Sequence, residues 1–260
     1  MTSFGLAKAL LVKSVAMPIQ NFGAVVRIFA IPIAVYAACL AYAVRLFMSG
    51  IALDPGFEYG EIASLLFQVF LPILAGLFFL VWGIVGWHRY VLNEGPAKWL
   101  TPVGVRNFVR YALDSLAITL LMALIAIPVL YILGNFMFAA DVYAAFALLN
   151  PSVILLITWM FLRLSPLLPS SAIDKRIGLG GAWRATSKGR LALLWVAVMW
   201  LVMDYIGAQA TRSLASTPLT PEADFRVFIV AQMVWMAISG MWGVSLITTI
   251  YGYFVEDRAL

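Results

Sequence analysis

The chain has 260 residues, 64% of them hydrophobic and 11% charged, with a mean hydropathy of +0.99; an ordinary soluble domain is about 25% charged. With 17 Lys and Arg and 12 Asp and Glu there is too little charge to wet a fold of this size, so a water-soluble protein is excluded and lipid has to replace the missing polar surface. The lone Cys39 excludes an internal disulfide, and the net charge of +5 speaks first to membrane orientation, since no long basic stretch with interleaved aromatics suggests nucleic acid.

In chain order, Leu6, Ala9, Leu10, Leu11, Val15 and Met17, interspersed with Lys8, Lys13 and Ser14, form the pattern of a short amphipathic helix lying in the inner interface. A hydrocarbon layer about 30 Å thick takes about 20 apolar helical residues. The first run that long lies between Arg27 and Arg45, with 17 uncharged residues between them, and spans if Arg45 extends its guanidinium to the interface. Lys8, Lys13 and Ala37-Ala38-Cys39 invite comparison with a lipoprotein signal. That reading fails because Tyr36 stands where a Leu-like residue belongs and the apolar run continues to Val44.

The remaining runs place spans at 62–87, 111–133, 146–164, 191–211 and 227–254, with the first at 28–48. Thr101-Pro102 reads as the N-cap and first residue of the third helix, whose cytoplasmic turns carry Arg106, Arg110 and Asp114, the last two at pairing distance i,i+4. Residues 134–150 read as an outer interfacial or re-entrant piece that breaks before Pro151. The loop 212–226, with Ser216-Thr217-Pro218 and Thr220-Pro221, reads as an irregular turn.

Of the 17 basic residues, 14 fall on one side of these six spans: Lys8, Lys13, Arg27, Arg89, Lys98, Arg106, Arg110, Arg163, Lys175, Arg176, Arg184, Lys188, Arg190 and Arg258. Arg45, Arg212 and Arg226 fall on the other, with Asp54, Glu58, Glu61, Asp141, Glu222 and Asp224. The positive-inside rule makes the first side, and both termini, cytoplasmic. Its net of +9 attracts anionic lipid.

Few residues suggest chemistry. His88, the only histidine, belongs at the inner end of the second span, whereas Ser239-Gly240 lies about 20 Å into the sixth from its outer end at 1.5 Å per residue. A Ser-His pair is therefore not expected, and no His-Glu-x-x-His occurs. Gly178-x-Gly180-Gly181 lacks the strand and the Lys-Ser/Thr tail of a nucleotide loop. Its glycines instead let the chain start a short interfacial helix over 183–189, anchored by Trp183 with Arg184 and Lys188 toward headgroups. Asp204 is an acid inside a span and hence a site candidate by default, with Arg45 and Arg212 as its expected ion-pair partners. Small residues at Ala34/Ala38, Ala37/Ala41, Gly76, Gly83, Gly86, Gly240 and Gly243 mark close helix approaches, within the bundle or toward a partner. The exits Trp87-His88-Arg89-Tyr90 and Phe161-Leu162-Arg163-Leu164 correspond loosely, as in two repeated hairpins.

The segment Arg163-Leu164-Ser165-Pro166-Leu167-Leu168-Pro169, followed by Gly181-Ala182-Trp183-Arg184-Ala185-Thr186-Ser187-Lys188-Gly189-Arg190, resembles bacterial six-helix membrane proteins of the glycerophosphodiester phosphodiesterase membrane-domain type and related uncharacterised families. The resemblance covers about 30 residues and implies a helical integral membrane module. No phosphodiesterase domain or acidic metal-ligand set accompanies it in these 260 residues, so no catalytic residue carries over.

The expected fold is thus all-α, a polytopic transmembrane bundle of six spans in one integral membrane domain, 1–260, with both termini cytoplasmic and an N-terminal interfacial amphipathic helix. The expected role is non-enzymatic, without metal or cofactor, in a bacterial inner membrane: binding anionic lipid, or serving as an accessory or assembly component of a membrane complex. Its partners would be lipid headgroups and a membrane protein or a second copy, not nucleic acid. Candidate headgroup contacts are Arg89, Arg106, Arg110, Arg163, Lys175, Arg176, Arg184, Lys188 and Arg190. The alternative is a small transporter or channel using Asp204; an intramembrane hydrolase ranks behind both for want of a nucleophile near a base.

Overall fold

A computed structural model describes residues 1–51, 59–99, 101–140, 143–215 and 221–260. Every regular element among them is helical: α1 (Ser3–Gln20), α2 (Phe22–Ile51), α3 (Tyr59–Asn93), α4 (Val105–Ala140), α5 (Tyr143–Leu164), α6 (Leu167–Ala172), α7 (Gly178–Ala185), a 3-10 turn (Ser187–Gly189), α8 (Arg190–Ala215) and α9 (Pro221–Phe254). Six stretches are long and apolar enough to cross a membrane: Phe22–Leu46, Leu66–Asn93, Val105–Ile132, Pro151–Ala172, Ser187–Leu214 and Val227–Phe254. Their mean hydropathy of 1.7–2.5 coexists with burial of only 6–39% of their most apolar residues, so most of their apolar surface is left for lipid.

The chain forms two compact units, one of residues 21–112 and one of residues 1–20 with 113–260; the boundary falls inside α4. In the 21–112 unit α2 and α3 pack antiparallel along their length. Small residues allow this: Gly76 backs onto Tyr36, Gly83 onto Phe29 and Pro32, and Gly86 onto Ile28. Phe78, Trp82 and Phe108 add a cluster of rings 4.5–6.3 Å apart at the start of α4.

In the other unit the core is built from α1, α5, α8 and α9, with Leu10, Leu162, Leu193, Val196, Leu246 and Ile250 at its centre. Thr2 Oγ1 accepts the Gly5 N–H at 3.1 Å and caps α1. Ala7, Leu10 and Ser14, at i, i+3 and i+7, form the buried face of α1, which lies against α8 and α9. Ser14 Oγ accepts the Trp242 indole N–H at 2.9 Å, and Phe4 meets Trp195 edge-on at 5.7 Å. The amphipathic helix expected over residues 6–17 therefore exists, extended at both ends and held on one side by protein, while Lys8, Val12, Lys13 and Ile19 are exposed.

Four boundaries differ from expectation. α4 starts at Val105, not at Thr101-Pro102, because the Thr101 carbonyl accepts the Trp82 indole N–H at 3.0 Å and its hydroxyl turns back to the Lys98 carbonyl at 3.3 Å. The backbone over 134–150 is helical apart from residues 141–142, which lie outside the described residues, and α5 runs through Pro151 instead of breaking before it. A proline inside a spanning helix removes one backbone hydrogen bond, which that helix survives. Of the loop expected over 212–226, residues 212–215 belong to α8 and 221–226 to α9, and residues 216–220 lie outside the described residues. The short interfacial helix begins at Gly178, five residues before Trp183, with φ of +68° at its first residue, a conformation glycine adopts without strain.

Candidate functional site

The polar groups of the 1–20/113–260 unit gather on the connection from α5 to α8. α6 is six residues long and all six are buried. Such a segment must satisfy its own polar groups. Ser165 Oγ donates to the Leu162 carbonyl at 2.9 Å and Ser170 Oγ to the Leu167 carbonyl at 2.6 Å. Ser171 Oγ donates to Asp114 Oδ2, and Arg176 Nη2 meets Asp114 Oδ1 at 2.6 Å. The next residue back, Lys175, reaches Glu256 Oε1 at 3.0 Å, and Arg258 holds Glu256 Oε2 at 2.8 Å. Two adjacent cations thus tie one turn to α4 and to the end of α9. Neither Ser171 nor Arg176 was pointed to by the i,i+4 spacing of Arg110 and Asp114; the signal present was an acid in an apolar helix, which needs partners from somewhere.

Arg163 is 5% exposed and so does not face headgroups. Its guanidinium lies 3.6 Å above the Trp183 ring centroid and 5.3 Å from that of Trp159, and its Nη2 donates to the Trp183 carbonyl at 2.8 Å. The Thr186 hydroxyl accepts from Arg163 Nε at 3.4 Å, and Trp159 Nε1 donates to the Arg190 carbonyl at 2.8 Å. This cation and two indoles fasten α7 to α5 through stacking and charge-assisted bonds together. Trp183 keeps an outer edge 36% exposed, near Leu179 at 40%.

Arg184, Lys188 and Arg190 are exposed and have no acidic partner among the described residues. Lys175 and Arg176, though ion-paired, keep 66% and 56% of their side-chain surface exposed. In the 21–112 unit Arg106 is exposed, and Arg89 and Arg110 are half-buried and engaged.

His88, at the end of α3, is fully buried; its Nε2 lies 3.3 Å from the Tyr111 hydroxyl, and the rings stand 5.6 Å apart. Neighbouring Trp87 is equally buried, with an indole N–H that has no hydrogen-bond partner. Ser239 donates to the Met236 carbonyl within its own helix at 3.4 Å. No group of three His, Cys, Asp or Glu able to hold a metal occurs among the described residues. A cavity of about 50 Å³ lined by Ile28, Pro32, Phe79, Trp82, Gly83 and Trp99 has room for a water or two, not for a transported solute.

Asp204 is exposed on α8, and of its two expected partners Arg212, in the same unit, forms no ion pair with it. Arg190 and Arg212 are 22 residues apart on the same helix, about 33 Å at 1.5 Å per residue, which matches the hydrocarbon thickness. Asp204 lies about 12 Å from the level of Arg212 and so about 5 Å past the middle toward that end. A carboxylate at the centre of a span disfavours insertion by roughly 2.5–3.5 kcal/mol. Beside it Tyr205 is 64% exposed and accepts a hydrogen bond from Gln209 Nε2 at 2.8 Å.

Compared with family models, curated proteins and solved structures, the chain matches none.

Proposed function

We propose that this protein is a non-enzymatic multi-pass component of a bacterial inner membrane, with both termini and the 163–190 connection on the cytoplasmic side, where it holds anionic phospholipid headgroups. The carrying observation is that Arg184, Lys188 and Arg190 are exposed without acidic partners, while Arg163, Lys175 and Arg176 of the same connection are used to fasten it. A fastened connection presents its remaining cations at fixed places, with the Trp183 edge and Leu179 beside them to enter the headgroup boundary. The sequence resemblance of this same connection to the membrane-domain family agrees with that reading. Coupled transport draws no support from Asp204 as it stands, since transport needs further polar groups facing it along a path.

Each basic residue near an anionic surface contributes about 1 kcal/mol, so Arg184→Gln, Lys188→Gln and Arg190→Gln together should weaken binding by on the order of 100-fold. The test is the upward shift of melting temperature in detergent on adding phosphatidylglycerol or cardiolipin. It should shrink in the triple variant and with salt, and stay near zero with phosphatidylcholine. An equal shift in wild type and triple variant sinks the proposal.

A further inference from the structure

Asp204 poses a problem that the lipid reading does not solve. It is an acid within the hydrocarbon depth, exposed, and unpaired among the described residues. Gly207 and Thr211, on its own side of α8, are buried, and Tyr205, Gln209 and Arg212, at i, i+4 and i+7 of one another, form a neighbouring exposed polar stripe about 100° around the helix from it. Arg212 stands at the edge of the hydrocarbon layer, so the group at odds with acyl chains is the Asp204 carboxylate about 12 Å inward of it.

We propose that the Asp204 face of α8 is a docking surface for a transmembrane helix of a different membrane protein, one that carries a single Lys or Arg at the depth of Asp204. The inference rests on the accessory-component side of the proposed function and names the chemistry of its partner. Charge complementarity selects the occupant. Lipid tails offer an acid nothing. A second copy is disfavoured by symmetry: in a dimer about an axis along the membrane normal, residues at equal depth meet their own equivalents. Asp204 would face Asp204 and Arg212 would face Arg212, while unlike charges stay about 12 Å apart in depth. A foreign helix with a cation near the middle and an acceptor near the Arg212 level satisfies both ends. The hydroxyl of Tyr205 and the amide of Gln209 then lie between the two charged levels as further hydrogen-bonding groups.

The test uses the full chain in phosphatidylcholine vesicles with fluorescent poly-leucine host helices carrying one Lys, one Glu or only Leu at the matching depth, read by energy transfer. The Lys host should associate about tenfold more tightly than the Leu host. Asp204→Asn should reduce it to the level of the Leu host, and Asp204→Lys should transfer the preference to the Glu host. Equal transfer to all three hosts overturns the proposal. So does self-association of two labelled copies that Asp204→Asn abolishes, or a Lys preference that appears only in an Arg45→Gln background, which would assign the acid an internal cation. Unchanged helicity and melting of Asp204→Asn separate these outcomes from misfolding. Phosphatidylcholine leaves the cytoplasmic cations unused, so failure of the lipid reading leaves this result interpretable.

Discussion

Asp114 is 4% exposed and Arg176 is 56% exposed in their side chains, and this asymmetry sets which substitution is worse. Removing Arg176 leaves a carboxylate inside the protein with the Ser171 hydroxyl as its companion, whereas removing Lys175 leaves Glu256 with Arg258. Arg176→Ala should therefore destabilise by about 2–3 kcal/mol, below the figure for a fully buried pair because the guanidinium is half in solvent. Lys175→Ala should change stability by about 1 kcal/mol or less. Thermal unfolding of both variants in one detergent gives the comparison, and equal losses would contradict it. Arg163→Lys keeps the charge but loses the planar stack on Trp183 and the forked donors. It should lower stability by about 1–3 kcal/mol and raise the exposure of tryptophan to aqueous quenchers. These roles were only half legible in the sequence. Arg163 and Trp183 stood out as a boundary cation and an interfacial anchor, but nothing in their spacing says that one lies on the other's ring.

Between elements, the small residues separate what a sequence pattern sees from what packing uses. Gly76, Gly83, Gly86 and Gly243 do meet neighbouring side chains, but Gly240 has open space where a Cβ would lie. Gly207 was not singled out at all, yet a Cβ there would run into the Trp235 ring on α9. The pattern sees the spacing along one helix, while the requirement at Gly207 comes from the indole of another. Gly207→Ala should destabilise by about 1–3 kcal/mol through overpacking, and Gly240→Ala should stay within about 0.5 kcal/mol. Melting temperatures decide it, and a larger loss at Gly240 would reverse the assignment. Helix boundaries missed for a related reason. Thr101-Pro102 has the residue types of a helix start, but its carbonyl is held by Trp82, 19 residues earlier, and that bond is invisible to local pattern.

For the molecule as a whole, class and span count follow from hydropathy alone, because a bilayer demands long apolar helices and imposes one dominant signal. The division at residues 112–113 was not legible, since composition does not change where contacts do. The proposed function puts both termini on the cytoplasmic side of six spans. In a Cys39→Ser background, Lys188→Cys should react with a membrane-impermeant maleimide only after sealed cells are opened. Arg212→Cys should react before opening; the opposite pattern would invert the orientation.

The hydrogen bond between Ser14 and Trp242 joins residues 228 apart. At a synthesis rate of about 5–20 residues per second, roughly 10–45 s separate the two ends of that bond on the ribosome. α1 therefore emerges long before α8 and α9, the helices that cover Ala7, Leu10 and Ser14, have been made. During that interval its buried face is without its partners, and a helix that leaves the ribosome early is among the last to reach its place.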